Sequence, residues 1–162
     1  MDAGGVYRTL APAVRGYLRG QGVPEPDDVL SEVFLQVARS LHRFRGGDED
    51  LRRWVFTIAR NRAIDDRRRR ARRPAPAAGA VPDSPAPSAS EPLDPQLVAA
   101  LGQLTPDQRE VVLLRFVADL PLGEVARITR RSAGAVKSIQ HRGLAQLGRI
   151  LGGPDGAVGS DD

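Results

Sequence analysis

The 162-residue chain contains no cysteine, so neither a disulfide framework nor a thiolate metal site is open to it, and cysteine usage leaves the redox compartment undecided. Histidine is nearly absent. His42 and His141 fall in different halves, no nucleotide-cradling P-loop pattern occurs, and no nucleophile-base set can be assembled, so no catalytic residue, metal or cofactor is expected. Nowhere do eighteen apolar residues run together, and the start, Met1-Asp2-Ala3-Gly4-Gly5, lacks a basic stretch leading into an apolar one. No membrane insertion is expected, and the location expected is cytoplasmic.

Arginine, by contrast, is abundant. The net charge is +4, and Lys137 is the sole lysine among 24 basic residues. A polyanion is the natural partner because the planar guanidinium fork matches phosphates and guanine edges, although a high-GC genome also enriches Arg together with Ala, Gly and Pro. Residues 1–73 carry 16 Arg against 10 acidic residues, whereas residues 96–162 carry 8 basic against 7 acidic. Between them, over residues 74–95, seven prolines from Pro74 to Pro95 stand among Ala, Ser and Gly. That composition cannot offset the entropy of ordering, and it reads as a flexible linker between two small domains, 1–73 and 96–151, with a disordered tail over 152–162. Domains so small bury little surface per residue, so docking on a partner is expected.

Helical periodicity dominates, and no alternating β-branched run bounded by turn signals appears. The expected fold class is all-α: two small helical domains, the C-terminal one a helix-turn-helix. One helix is expected over Val6 to Leu18. From Asp27 onward, Val29, Leu30, Val33, Phe34, Val37, Leu41 and Phe44 recur at three- and four-residue steps and draw one apolar stripe. Gly46 and Gly47 break the chain, and a further helix holds Leu51, Trp54, Val55, Ile58 and Ala59 before running through Ile64 into the arginines between Arg67 and Arg73. That block is either a grip on nucleic acid or a solvated helix end whose cations suit the dipole. Leu97, Val98, Leu101 and Leu104 predict a short helix. Thr105-Pro106-Asp107-Gln108 then reads as a capping box opening a helix through Phe116, with Thr105 as N-cap and Pro106 at the first helical position.

The stretch Glu124-Val125-Ala126-Arg127-Ile128-Thr129-Arg130-Arg131-Ser132-Ala133-Gly134-Ala135-Val136-Lys137-Ser138 has helix-turn-helix spacing. Ala126 is small where two helices would cross, Val125, Ile128 and Val136 supply a shared core, and Ser132 can cap the second helix. That helix would present Lys137, Ser138, Gln140, His141 and Arg142 to a major groove. An ordinary helical hairpin with a solvated face is the alternative.

In its order of segments the chain resembles the extracytoplasmic-function sigma factors, with their region-two and region-four domains. Asp27-Asp28-Val29-Leu30-Ser31-Glu32-Val33-Phe34-Leu35 is similar to the family's acidic-apolar docking helix. The resemblance implies that Asp27, Asp28, Val29, Glu32, Val33 and Phe34 contact core RNA polymerase, at its beta and beta-prime subunits. Trp54 to Asp65 resembles the promoter-melting helix, which implies minus-ten binding and melting by Arg45, Arg53, Trp54, Phe56, Arg60, Asn61, Arg62, Asp65, Arg68 and Arg69. Leu104 to Val111, Ala133 to Ser138 and His141-Arg142 resemble the region-four signature. This implies minus-thirty-five binding by Arg131, Ser132, Ala133, Gly134, Lys137, Ser138, Gln140, His141 and Arg142.

Two departures stand out. Arg130 occupies a turn position where relatives often have Gly, so a left-handed backbone there would cost roughly 1 kcal/mol, or the turn would be displaced. Ile139 and Gln140 replace what is commonly a basic then an apolar residue. Trp54 and Phe56 lie beside Arg52, Arg53, Arg60 and Arg62, a mix suited to stacking on unpaired bases while gripping a backbone, with a place in the core as the alternative for Trp54. At about 3.1 Å per residue, the linker reaches roughly 68 Å. The implied function is an alternative sigma factor acting at a bipartite promoter with polymerase, promoter DNA and an anti-sigma factor as partners. A helix-turn-helix regulator acting without core polymerase is the rival reading, and it leaves the acidic docking helix and the aromatic-basic helix unexplained.

Overall fold

A computed structural model describes residues 2–73 and 93–152. Among these residues every regular element is helical, in line with the all-α expectation. No helix among them is long and apolar enough to cross a membrane. Most of the expected linker, residues 74–92, and all of the expected tail beyond Gly152 lie outside the described residues. Of the linker's last positions, Asp94 and Pro95 already belong to a helix start.

Helix α1, Ala3–Gly20, begins where the Asp2 carboxylate accepts the Gly5 amide at 2.7 Å, satisfying one orphan donor. Val6, Leu10, Val14, Tyr17 and Leu18 lie on its buried face. Helix α2, Pro26–Ser40, opens with Pro at its first turn and with Asp27 and Asp28 beside the positive end of its dipole. The apolar stripe continues only to Val37 as α-helix. Leu41–Arg43 tighten into a 3₁₀ turn and Phe44 is extended. Gly46 then takes φ 145°, where a Cβ would run into the Asp50 side chain, and Gly47 caps α3, Asp48–Arg72. Asp50 closes that cap by accepting the Gly47 amide at 3.1 Å. Only the first part of α3 has buried residues, Leu51 to Ala63; its second part is polar and ends in arginines.

The C-terminal helices are α4, Pro95–Gly102; α5, Pro106–Val112; α6, Leu122–Thr129; and α7, Ala133–Gly152. The expected capping box forms: the Thr105 hydroxyl accepts the Gln108 amide at 3.2 Å, and the Gln108 side chain accepts the Thr105 amide at 3.3 Å. The helix expected through Phe116 does not stay α-helical. It widens into a π segment over Leu113–Val117, which places Leu113 and Leu114 wholly inside. Arg109 turns back to donate to the Leu101 and Leu104 carbonyls at 2.9 and 3.0 Å, which ties the end of α4 to α5.

One apolar cluster runs through both halves of the described chain. Tyr17 and Phe56 meet edge to face, their centroids 5.9 Å apart. Gly20, at the end of α1, lies so close to Leu113 that any Cβ there would collide with the leucine side chain. Close approach, not a turn, is what requires glycine at that point.

Candidate nucleic-acid interface

The helical repeat of α3 sorts its side chains. Leu51, Val55, Phe56, Ile58, Ala59 and Ala63 face inward, Arg52, Arg53 and Arg60 stand half-buried at the rim, and Asn61, Asp65 and Arg68 are exposed. The rim arginines reach the C-terminal helices. Arg53 holds both oxygens of Glu124 on α6, at 2.7 and 2.8 Å, Arg52 donates to the Ala118 carbonyl at 3.0 Å, and Arg60 pairs with Glu110 on α5. Both bonds come from the one nitrogen Nη1, and Glu124 is only 8% exposed, so its carboxylate depends on that single guanidinium N–H group. The hydrogen bond from Arg53 to Glu124 raises the arginine's pKa, outweighing the opposing effect of burial.

Beyond the core, Arg62, Asp65, Arg68, Arg69 and Arg72 line an open groove of about 340 Å³. Arg62 donates to Gln36 at 2.8 Å and stands 3.7 Å from Glu32, and Arg69 stands 4.0 Å from the same carboxylate. Glu32 is therefore turned toward the basic end of α3. At the helix's other end Phe44 stacks on Trp54, centroids 5.2 Å apart and planes inclined by 25°, and both rings are partly buried. One face of Trp54 is thus covered. Phe56 has no exposed face at all. Arg45 is exposed but folds back, donating to the His42 and Phe44 carbonyls at 3.1 and 2.9 Å.

On α2, Asp27 and Asp28 are exposed, and Asp27 accepts from Arg15 at 2.8 Å. Val29 and Val33 are buried, and Phe34 lies edge-on to Tyr7 at 5.0 Å. Of the acidic members of the expected docking set, Asp27 and Asp28 face solvent while half-buried Glu32 is turned toward Arg62 and Arg69, and the apolar members hold α2 to the bundle.

The helix-turn-helix is built from α6 and α7. Val125 and Val136 are fully buried and Ile128 nearly so. The turn stays at Arg130, which takes φ 58° and ψ 42°, and the Arg131 amide closes onto the Ala126 carbonyl at 3.0 Å. Of the two alternatives at this position, strain rather than displacement is realised. The Ser132 hydroxyl accepts the Ala135 amide at 3.1 Å, and Arg131 pairs with Asp107 at 2.8 Å. Ala133 and Gly134 are exposed in the first turn of α7. Lys137, Ser138, His141 and Arg142 follow at one- and three-residue steps, all exposed on one side. Ile139 points into the core, and half-buried Gln140 leaves its Oε1 without a partner.

Two family models match the chain: Sigma-70 region 2 over residues 6–73 and Sigma-70, region 4 over residues 100–149. The chain is also 37% identical, over 155 residues, to the RNA polymerase sigma factor CarQ of Myxococcus xanthus, covering 91% of this chain and 87% of that one. This chain belongs to the extracytoplasmic-function (ECF) RNA polymerase sigma factors. It is an alternative sigma factor directing transcription initiation, which the reading as a free-standing regulator does not match. This sigma factor is 34% identical to ECF sigma factor BldN of Streptomyces coelicolor, covering 94% of this chain but 57% of the longer relative. Its fold matches sigma factor RpoE, solved with the anti-sigma factor NepR from Bartonella quintana, at TM-score 0.72 and 24% identity over 91% and 95% of the two chains. CnrH, solved with the cytosolic domain of CnrY, matches at 0.66 and 21% over 94% and 88%. Both are likenesses of fold.

Glu110 and Glu124, the partners of the rim arginines, escape a reading of the sequence. They lie 50 and 71 positions from Arg60 and Arg53, and no periodicity spans that gap.

Proposed function

We propose that this sigma factor reads a bipartite promoter, α3 and the loop before it meeting the minus-ten element and α7 the minus-thirty-five element, while α2 docks on the beta and beta-prime subunits of core polymerase. The observation carrying this is the placement of two separate basic surfaces, the Arg62 to Arg72 groove and the Lys137 to Arg142 face, on a member of this family. The groove's guanidiniums would neutralise phosphates of one strand. The uncovered face of Trp54 would receive an unpaired base, a contact worth about 1–3 kcal/mol, so open DNA is stabilised without ATP hydrolysis. Buried Phe56 would support that site from below. Asp27 and Asp28 would face polymerase, and Arg131, Ser132, Ala133, Gly134 and Gln140 would flank the base-reading side chains.

In this reading residues 1–73 and 96–151 act as separate DNA-binding units. Tethering on polymerase gives each a high effective concentration, so two weak contacts suffice. The protein acts in the cytoplasm, catalyses no reaction itself and is held in check by an anti-sigma protein covering α2. The complexes in which RpoE and CnrH were solved support such a partner.

The test is transcription by sigma-free core polymerase from a genomic library with the purified protein, alongside Arg62→Ala and Lys137→Ala. Discrete start sites preceded by one shared bipartite motif, weakened by both substitutions, are expected. Specific duplex binding without start sites would favour regulation without polymerase.

A further inference from the structure

The edge of α2 turned toward the basic end of α3 carries Glu32 and Gln36, one helical turn apart and both half-buried. The Oε1 of Gln36 accepts from Nη2 of Arg62 at 2.8 Å, while the Glu32 carboxylate stands off, 3.7 Å from Nη1 of Arg62 and 4.0 Å from Arg69. We propose that Gln36 is a positioning residue for the minus-ten contact, a neutral seat that aims the Arg62 guanidinium into the groove and leaves its charge for a phosphate. The inference rests on the reading that the α3 groove meets promoter DNA.

Three observations carry it. Arg62 shares the groove with Arg68, Arg69 and Arg72, and Arg68 and Arg72 have no ion pair among the described residues. Long cationic side chains held so close repel one another and keep their rotamer freedom, and each must be ordered when a phosphate binds, at a cost in affinity. For Arg62 the bond to Gln36 has done this beforehand. The second observation is that the acceptor is an amide. A carboxylate at 2.8 Å would make a charge-assisted pair and compete with phosphate, whereas the amide oxygen takes one of the five guanidinium N–H bonds and leaves the rest of the fork charged and open. The nearest acid, Glu32, lies beyond hydrogen-bond distance of Arg62. Third, the seat is rigid: Gln36 stands between Val33 and Val37 on α2, both fully buried.

The test is binding of a fluorescent, mixed-sequence single-stranded oligonucleotide to the full chain over a salt series, with Gln36→Met, Gln36→Glu and Arg62→Ala beside the wild type. Gln36→Met keeps the length of the side chain and discards the acceptor. Its affinity should fall ~3–10-fold with the salt dependence unchanged, because the charge survives and only its ordering is lost. Gln36→Glu keeps the acceptor and adds a charge, so its affinity should fall together with the slope of log affinity against log salt, by about 0.7, as in Arg62→Ala. Circular dichroism melting verifies that both Gln36 variants keep the fold. A Gln36→Met protein that binds as tightly as the wild type overturns the seat, and so does one whose salt slope drops as far as that of Gln36→Glu. A wild type that does not bind, or an Arg62→Ala protein that binds equally well, would instead sink the assignment of the α3 groove to DNA.

Discussion

Arg130 closes α6 in a left-handed conformation, φ 58° and ψ 42°, where an L residue's Cβ crowds the following carbonyl at a cost of roughly 1–2 kcal/mol. The Arg131 amide bonded to Ala126 at 3.0 Å fixes that geometry, so the residue cannot relax. Arg130→Gly removes the Cβ. Glycine's extra freedom in the unfolded chain takes back about 0.5–1 kcal/mol, which leaves a net gain of about 0.5–1 kcal/mol. For a chain of this size that is a rise in Tm of about 2 °C. Arg130→Ala is the control, since it discards the guanidinium but keeps the Cβ. Paired thermal and urea unfolding of the three proteins separates the effects: Gly should exceed both Ala and the wild type. A Gly variant no more stable than the Ala variant would refute the account of strain at this turn.

The Thr105 cap should be worth about 1 kcal/mol, so Thr105→Ala lowers the urea midpoint and Thr105→Ser recovers most of it. An alanine variant matching the wild type would mean that α5 is held by packing alone. Burial, reinforced by Glu110, raises the pKa of Tyr17 well above its usual value. Its stabilising contribution is full below the free tyrosine pKa of about 10 and is lost as pH rises above it, because the unfolded chain ionises first. Tyr17→Phe should therefore flatten the decline in unfolding free energy between about pH 9 and 11; an unchanged slope would show that the hydroxyl reaches water.

Local rules were legible in the sequence. The Thr105-Gln108 box and the Ser132 cap depend on residues within a few positions of one another and formed, the α2 stripe formed as α-helix only as far as Val37, and at Arg130 the sequence left strain or displacement open. Phe56 lies among arginines, which suggests base stacking, yet it is fully buried, and the helical repeat places it beside Val55 and Ala59 on the inward side of α3. The π segment at Leu113 answers to packing against Gly20 and leaves no local signature. Nor do the Arg53–Glu124 and Arg60–Glu110 pairs, which exist only because distant helices are brought together. Charge pattern identified the basic helix correctly and could not say which of its cations would find partners.

Lys137 stands exposed on α7 as the single lysine of a chain whose other basic side chains are almost all arginine. Guanidinium groups do not acylate under the mild conditions that modify amines, so an amine-selective reagent meets one side chain among these 162 residues. Acetylation at that position would remove charge from the helix-turn-helix face and leave the arginine groove of α3 untouched. A fluorophore attached there would sit on the second helix of the motif without any engineering of the sequence.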